Sequence, residues 1–211
     1  DAMVEVLATV LVAPEFLYLA QEVAADQAGN PGTISELELA SRLSIFLWSS
    51  IPDEQLLELA QQGKLKEPGA LAAQVKRMLA DPRARRFSEN FVQQWLGMDG
   101  LDSVTHVTDS SLKEAMRQEP IAFFQELLER NSSVMDFIHS DYAVVNERLA
   151  GHYRIPDVHG PHFRRVPIDP QMNRGGVLTG AAVLTMNSDG KDSHPLKRGI
   201  WMLERILQDP P

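Results

Sequence analysis

With 211 residues, 44% of them apolar, the chain has material for one generous domain or two small ones and a core to match. Its formal net charge of −9 excludes nucleic acid and anionic membrane surfaces as partners, because both demand a clustered surplus of Lys and Arg. The absence of cysteine excludes a disulfide, a thiolate nucleophile, a zinc–thiolate site and covalent attachment of c-type haem to this chain.

The first segment, to about Val23, places Val4, Leu7 and Leu11 on one helical face, with Pro14 kinking it or starting a second helix. Its apolar stretch from Val6 to Ala20 is broken by Pro14 and Glu15, so no membrane insertion is expected. A polar turn follows at residues 25–32. Ser35, with Glu38 three residues on, forms a capping box for a helix expected to bury Leu39, Leu43, Phe46 and Leu47. Pro52 opens a short helix that ends at Gly63, and Leu71, Val75, Met78 and Leu79 mark the next.

Asp81-Pro82 supplies a cap and a first-turn proline. Phe87, Phe91 and Trp95 then recur every four residues, a stripe read as packing onto a neighbouring helix rather than as a cofactor or sugar platform. Asp109 or Ser110 caps a long helix to about Arg130, bent at Pro120. Short helices are expected at 134–138 and 146–153. The later half is richer in Pro, Gly, His and Arg, with a brief strand at 163–168, a buried helix favoured over a strand across 175–185, and a last helix from Pro195 burying Leu196, Ile200, Leu203 and Leu207.

Two constellations have residue types suited to chemistry. His152, His159 and His162 fall within eleven residues of irregular chain, and imidazoles converging from a loop are candidate ligands for zinc, copper or iron, although the spacing matches no metal signature. Asn187 to Pro195 gathers carboxylates, hydroxyls and an imidazole before a helix start. There Asp192, His194 and Arg198 are the candidate catalytic or anion-holding residues; the plainer reading makes Ser193 or Asp192 the helix cap of a solvated turn. No nucleophile elbow, phosphate loop or dinucleotide fingerprint is present, and Gly175-Gly176 lacks the third glycine.

Several strings, in order, carry a family resemblance: Glu38-Leu-Ala-Ser-Arg-Leu-Ser-Ile-Phe-Leu-Trp-Ser-Ser-Ile-Pro-Asp-Glu54, Met78-Leu-Ala-Asp-Pro-Arg83, Phe91-Val-Gln-Gln-Trp-Leu96, residues 141–153, Arg174-Gly-Gly-Val-Leu-Thr179, and Asp192-Ser-His-Pro-Leu-Lys-Arg-Gly199 with Trp201. The chain resembles helical domains of uncharacterised function from the large planctomycete cytochrome c-type multidomain proteins. The resemblance implies an exported protein, periplasmic or extracellular, with a c-type haem carried elsewhere in the parent and no cofactor in this chain. It also implies that the parent's other domains are its partners. Together with a start at Asp1 in helical periodicity and an end at Pro210-Pro211, it leads us to expect a piece of something larger.

The expected fold is all-α: a multi-helix array with an N-terminal bundle and a loop-rich C-terminal helical part. Residues 1–34 are expected to be the end of a preceding domain plus linker, 35–130 a helical bundle, and 131–211 the loop-rich domain. Three functions stand open. One is a module of a haem c-linked redox protein that positions a partner domain or substrate; the second is a metal-dependent oxidoreductase or hydrolase acting on a polysaccharide or a small molecule; the third is a structural assembly module. Whichever holds, chemistry is expected between Tyr153 and Arg198.

Overall fold

The computed structural model describes residues 2–14 and 34–211. The part of the first helical segment beyond residue 14 and the polar turn at 25–32 lie outside the described residues. Nine α-helices and one two-stranded ribbon are present among the described residues, so the chain is largely helical as its periodicity predicts. It divides into two compact units, Asp1–Lys76 and Arg77–Pro211.

In the first unit, α1 spans Ala2–Val12, α2 Glu36–Trp48 and α3 Glu54–Gln61. Ser35 caps α2 by accepting the Glu38 N–H at 3.1 Å, while the Glu38 carboxylate pairs one turn on with Arg42. Asp53 caps α3 through the Leu56 N–H. α2 packs against α3, and the buried face of α2 is Ala40, Ser44, Leu47 and Trp48. That stripe is rotated from the expected one, which turns Phe46 outward, 62% exposed. The helix α4, Ala70–Ala80, contains the point of division between the units.

The second unit is organised around one long helix. α5, Arg85–Leu96, follows a tight 3-10 turn at Pro82–Ala84 capped by Asp81, and ends where Gly97 takes a left-handed φ of +65°. α6, Ser110–Arg130, is capped by Asp109 and runs through Pro120, which forgoes one backbone bond without breaking the helix. α6 packs against α5, against β1 (Tyr142–Val145), against α7 (Glu147–Tyr153, capped by Asn146) and against α8 (Ala181–Met186). β1 pairs antiparallel with β2 (Arg164–Pro167), Tyr142 opposite Pro167 and Val145 opposite Arg164. The stripe Phe87, Phe91, Trp95 is packing, as expected: Phe87 and Phe91 meet Phe124 at 5.5 and 4.9 Å, and Trp95 meets Phe137 edge-on at 5.1 Å.

The last helix, α9 (Pro195–Met202), runs into a π turn at Leu203–Leu207. The expected burial of Leu196 and Leu207 is not found: they are 76% and 57% exposed, and Ile200 and Leu203 are only partly covered. Two indole ties set its rotation instead. Trp201 donates to the Leu96 carbonyl at 3.0 Å and Trp95 donates to the Arg205 carbonyl at 2.7 Å, so Trp201 and Ile206 face the core. The π turn adds a residue to the helical repeat and carries Leu207 off that face.

Candidate functional site

Glu119 lies on α6 three residues after Met116 and four before Phe123, so helical spacing puts its carboxylate on the apolar row. It is only 8% exposed. A buried carboxylate needs donors, and two elements supply them. α7 brings the Tyr153 hydroxyl within 2.7 Å of both carboxylate oxygens. The first N–H of α8, from Ala181, donates to Glu119 Oε2 at 3.0 Å and to the Tyr153 oxygen at 2.6 Å. Desolvation outweighs these bonds and the nearby Arg174, and burial pushes the Glu119 carboxyl up to about 7. Burial and the adjacent Glu119 hold the Tyr153 phenol well above its ordinary range.

The segment 174–180 completes the enclosure. Arg174 lays its guanidinium 3.9 Å from the Tyr153 ring centre and donates to the Thr179 carbonyl at 2.9 Å. Gly175 donates to Thr179 Oγ1 at 2.9 Å and Gly176 donates to Ser140 Oγ at 3.0 Å; the Ser140 hydroxyl in turn donates to the Tyr142 carbonyl at 2.7 Å. This explains the glycine pair. With φ of +140° and +70°, both press against the backbone of Phe137 to Ser140, where a Cβ on Gly175 would strike the Ser140 carbonyl and one on Gly176 the carbonyl of Phe137.

A second tyrosine has the same surroundings. Tyr142 donates to Asp136 Oδ2 at 3.1 Å, has the Arg165 guanidinium 3.7 Å from its ring centre, and stacks on Phe123 at 5.1 Å. Burial and the Asp136 bond push its phenol up to about 12. Both tyrosines, with Glu119, Phe123, Arg174 and Val183, line a cavity of about 20 Å³, room for roughly one water. The arrangement holds protons between phenol and carboxylate, close to neutrality, in a place that bulk water does not fill.

The residues singled out by sequence are spread more widely. In the turn before α9, Asp189 Oδ1 accepts the N–H groups of Lys191 and Asp192 at 2.9 and 2.8 Å, and these bonds lower its carboxyl to about 2. His194 meets Asp189 at 3.3 Å, so Asp189 rather than Asp192 is its carboxylate neighbour. The turn is exposed, and His194 itself occupies the cap position of α9 without its side chain capping the helix, in place of the expected Ser193 or Asp192. Arg198 lines a groove of about 410 Å³ between α8 and α9 with Leu178, Val183 and Trp201.

His152 sits on α7 beside Tyr153, where burial first and then Arg174 and Arg148 lower its basicity. His159 and His162 lie in the loop beyond, their carbonyls accepting from Arg164. Among the described residues no three His, Asp or Glu side chains are grouped so as to hold a metal. Sequence reading passed over Glu119, one of 29 acidic residues, although its place on the row between Met116 and Phe123 is the signal that marks it.

No curated protein and no solved structure matches the chain. Two family models do. Residues 174–211 match PSCyt3, a protein of unknown function (DUF1588). Residues 34–155, with α2 to α7 and both Glu119 and Tyr153, match the other, and the chain accordingly belongs to the PSD4 family of proteins of unknown function (DUF1592).

Proposed function

We propose that this chain is a helical module of an exported, multidomain, haem c-linked redox protein, and that it positions a partner domain or substrate for that protein. The observation that carries the reading is the succession of the two families along one chain, PSD4 at 34–155 followed by PSCyt3 at 174–211, the second bearing a cytochrome label in its name. The residues present do not fit a covalently held c-type haem, since thioether attachment needs cysteine and the chain has none; the haem would be bound by another part of the parent. The polar groups of the C-terminal region support a positioning role, because Glu119, Tyr153, Arg174 and Asp189 spend their hydrogen bonds on the chain's own backbone and side chains. No helix among the described residues is long and apolar enough to cross a membrane.

The test is to purify the full parent protein and record its pyridine haemochrome spectrum. The parent should then be compared with a version lacking residues 34–211 for reduction of the haem by its electron donor. The reading expects covalent haem in both and impaired reduction only in the truncated form. A parent without covalent haem, or a truncated form reduced as fast as the intact one, would count against it.

A further inference from the structure

Both described tyrosines have the same surroundings: a phenol on a carboxylate, a guanidinium on the ring face, and a shared cavity with room for little water. The carboxylates anchor the elements, but anchoring alone does not call for two copies lining one cavity. Phe123 stacks on Tyr142 and meets Phe137 at 5.7 Å; Phe137 meets Trp95 at 5.1 Å, and Trp95 is partly exposed. A row of closely spaced rings thus leads from the cavity to the surface.

We propose that Tyr153 is a redox-active tyrosine, which gives up one electron to a high-potential, outer-sphere one-electron oxidant as its phenolic proton passes to Glu119. In this step the Tyr153 O–H bond breaks, an O–H bond forms on a Glu119 carboxylate oxygen, a neutral phenoxyl radical remains, and the electron reduces the oxidant. The geometry requires the two transfers to be coupled. A guanidinium 3.9 Å from the ring opposes any positive charge on it, so oxidation without loss of the proton is disfavoured. The cavity is too small for bulk water to take the proton, and Glu119 waits at 2.7 Å. Tyr153 is favoured over Tyr142 because its acceptor is closer, 2.7 against 3.1 Å, and because burial raises the proton affinity of Glu119. The Ala181 N–H, at 2.6 Å, holds the phenolic oxygen in place before and after the step.

The proposal concerns this chain's own residues, and its test uses no haem, so its failure and that of the module reading are separable. The full chain is photo-oxidised with a flash-generated ruthenium(III) polypyridyl complex and frozen for electron paramagnetic resonance. The expected result is a neutral tyrosyl radical whose signal is largely lost in Tyr153→Phe and kept in Tyr142→Phe. Glu119→Gln keeps a hydrogen-bond acceptor but cannot take the proton, and is expected to form the radical roughly 10²-fold more slowly. Formation in the native chain is expected to slow in D₂O. A signal of unchanged size in Tyr153→Phe, which would place the radical on Tyr142, on a tryptophan or on Tyr18 outside the described residues, would overturn the proposal. Should Tyr153→Phe fail to fold by circular dichroism, native-like rates in Glu119→Gln together with no D₂O effect would do the same.

Discussion

Glu119 and Asp189 do the same thing locally, each accepting backbone N–H groups close to a helix start, yet they end up at opposite extremes. Glu119, sealed by α7, α8 and the glycine pair, is raised to about 7; Asp189, in an exposed turn, is lowered to about 2. Hydrogen bonds favour the charged form in both, so what separates them is the loss of water around Glu119. Burial, more than the identity of the ligating groups, decides which of two similar constellations stores a proton near neutrality.

The largest expected effect comes from breaking the seal. Gly176→Ala adds a Cβ against the Phe137 and Ile138 backbone at a positive φ, and should cost roughly 4 kcal/mol of unfolding free energy in chemical denaturation. Next comes the proton itself. Because the folded pKa of Glu119, about 7, lies above its ordinary 4.5, the folded state holds the proton more tightly. The group's stabilisation is complete below pH 4.5 and lost as pH rises through 7, a swing of about 3 kcal/mol. In Glu119→Gln that component should vanish, so native and variant denaturation curves should diverge across this window.

Tyr153→Phe, which removes one donor but leaves the Ala181 N–H, should cost roughly 1–2 kcal/mol. It should also raise the Glu119 midpoint further, because the phenol bond favours the charged carboxylate. Smallest is Asp189→Asn at the exposed turn, for which no change in thermal midpoint is expected. A large change there would erase the contrast between the two regions.

Much of the fold was legible because its signals are local. Ser35, Asp81 and Asp109 all cap where cap chemistry and the apolar period predict. β1 was not foreseen, since four residues of strand acquire meaning only by pairing with Arg164–Pro167, a non-local event. The rotation of α9 was likewise invisible: two indole bonds to carbonyls of distant residues and a π turn override the apolar spacing of Leu196 and Leu207. At the site, Arg174 and the glycine pair stood in a string noticed for its resemblance. Their purpose is apparent only once Ser140 and Tyr153 are beside them, and Glu119 was hidden by abundance rather than by lack of pattern.

The most direct test of the sealed pair is a side-chain carboxyl NMR titration of Glu119, assigned by comparison with Glu119→Gln. A midpoint of about 7 is predicted, moving upward in Tyr153→Phe. A midpoint near 4.5, the ordinary glutamate value, would mean that water reaches the carboxylate and that the enclosure described for Glu119 and Tyr153 does not exist.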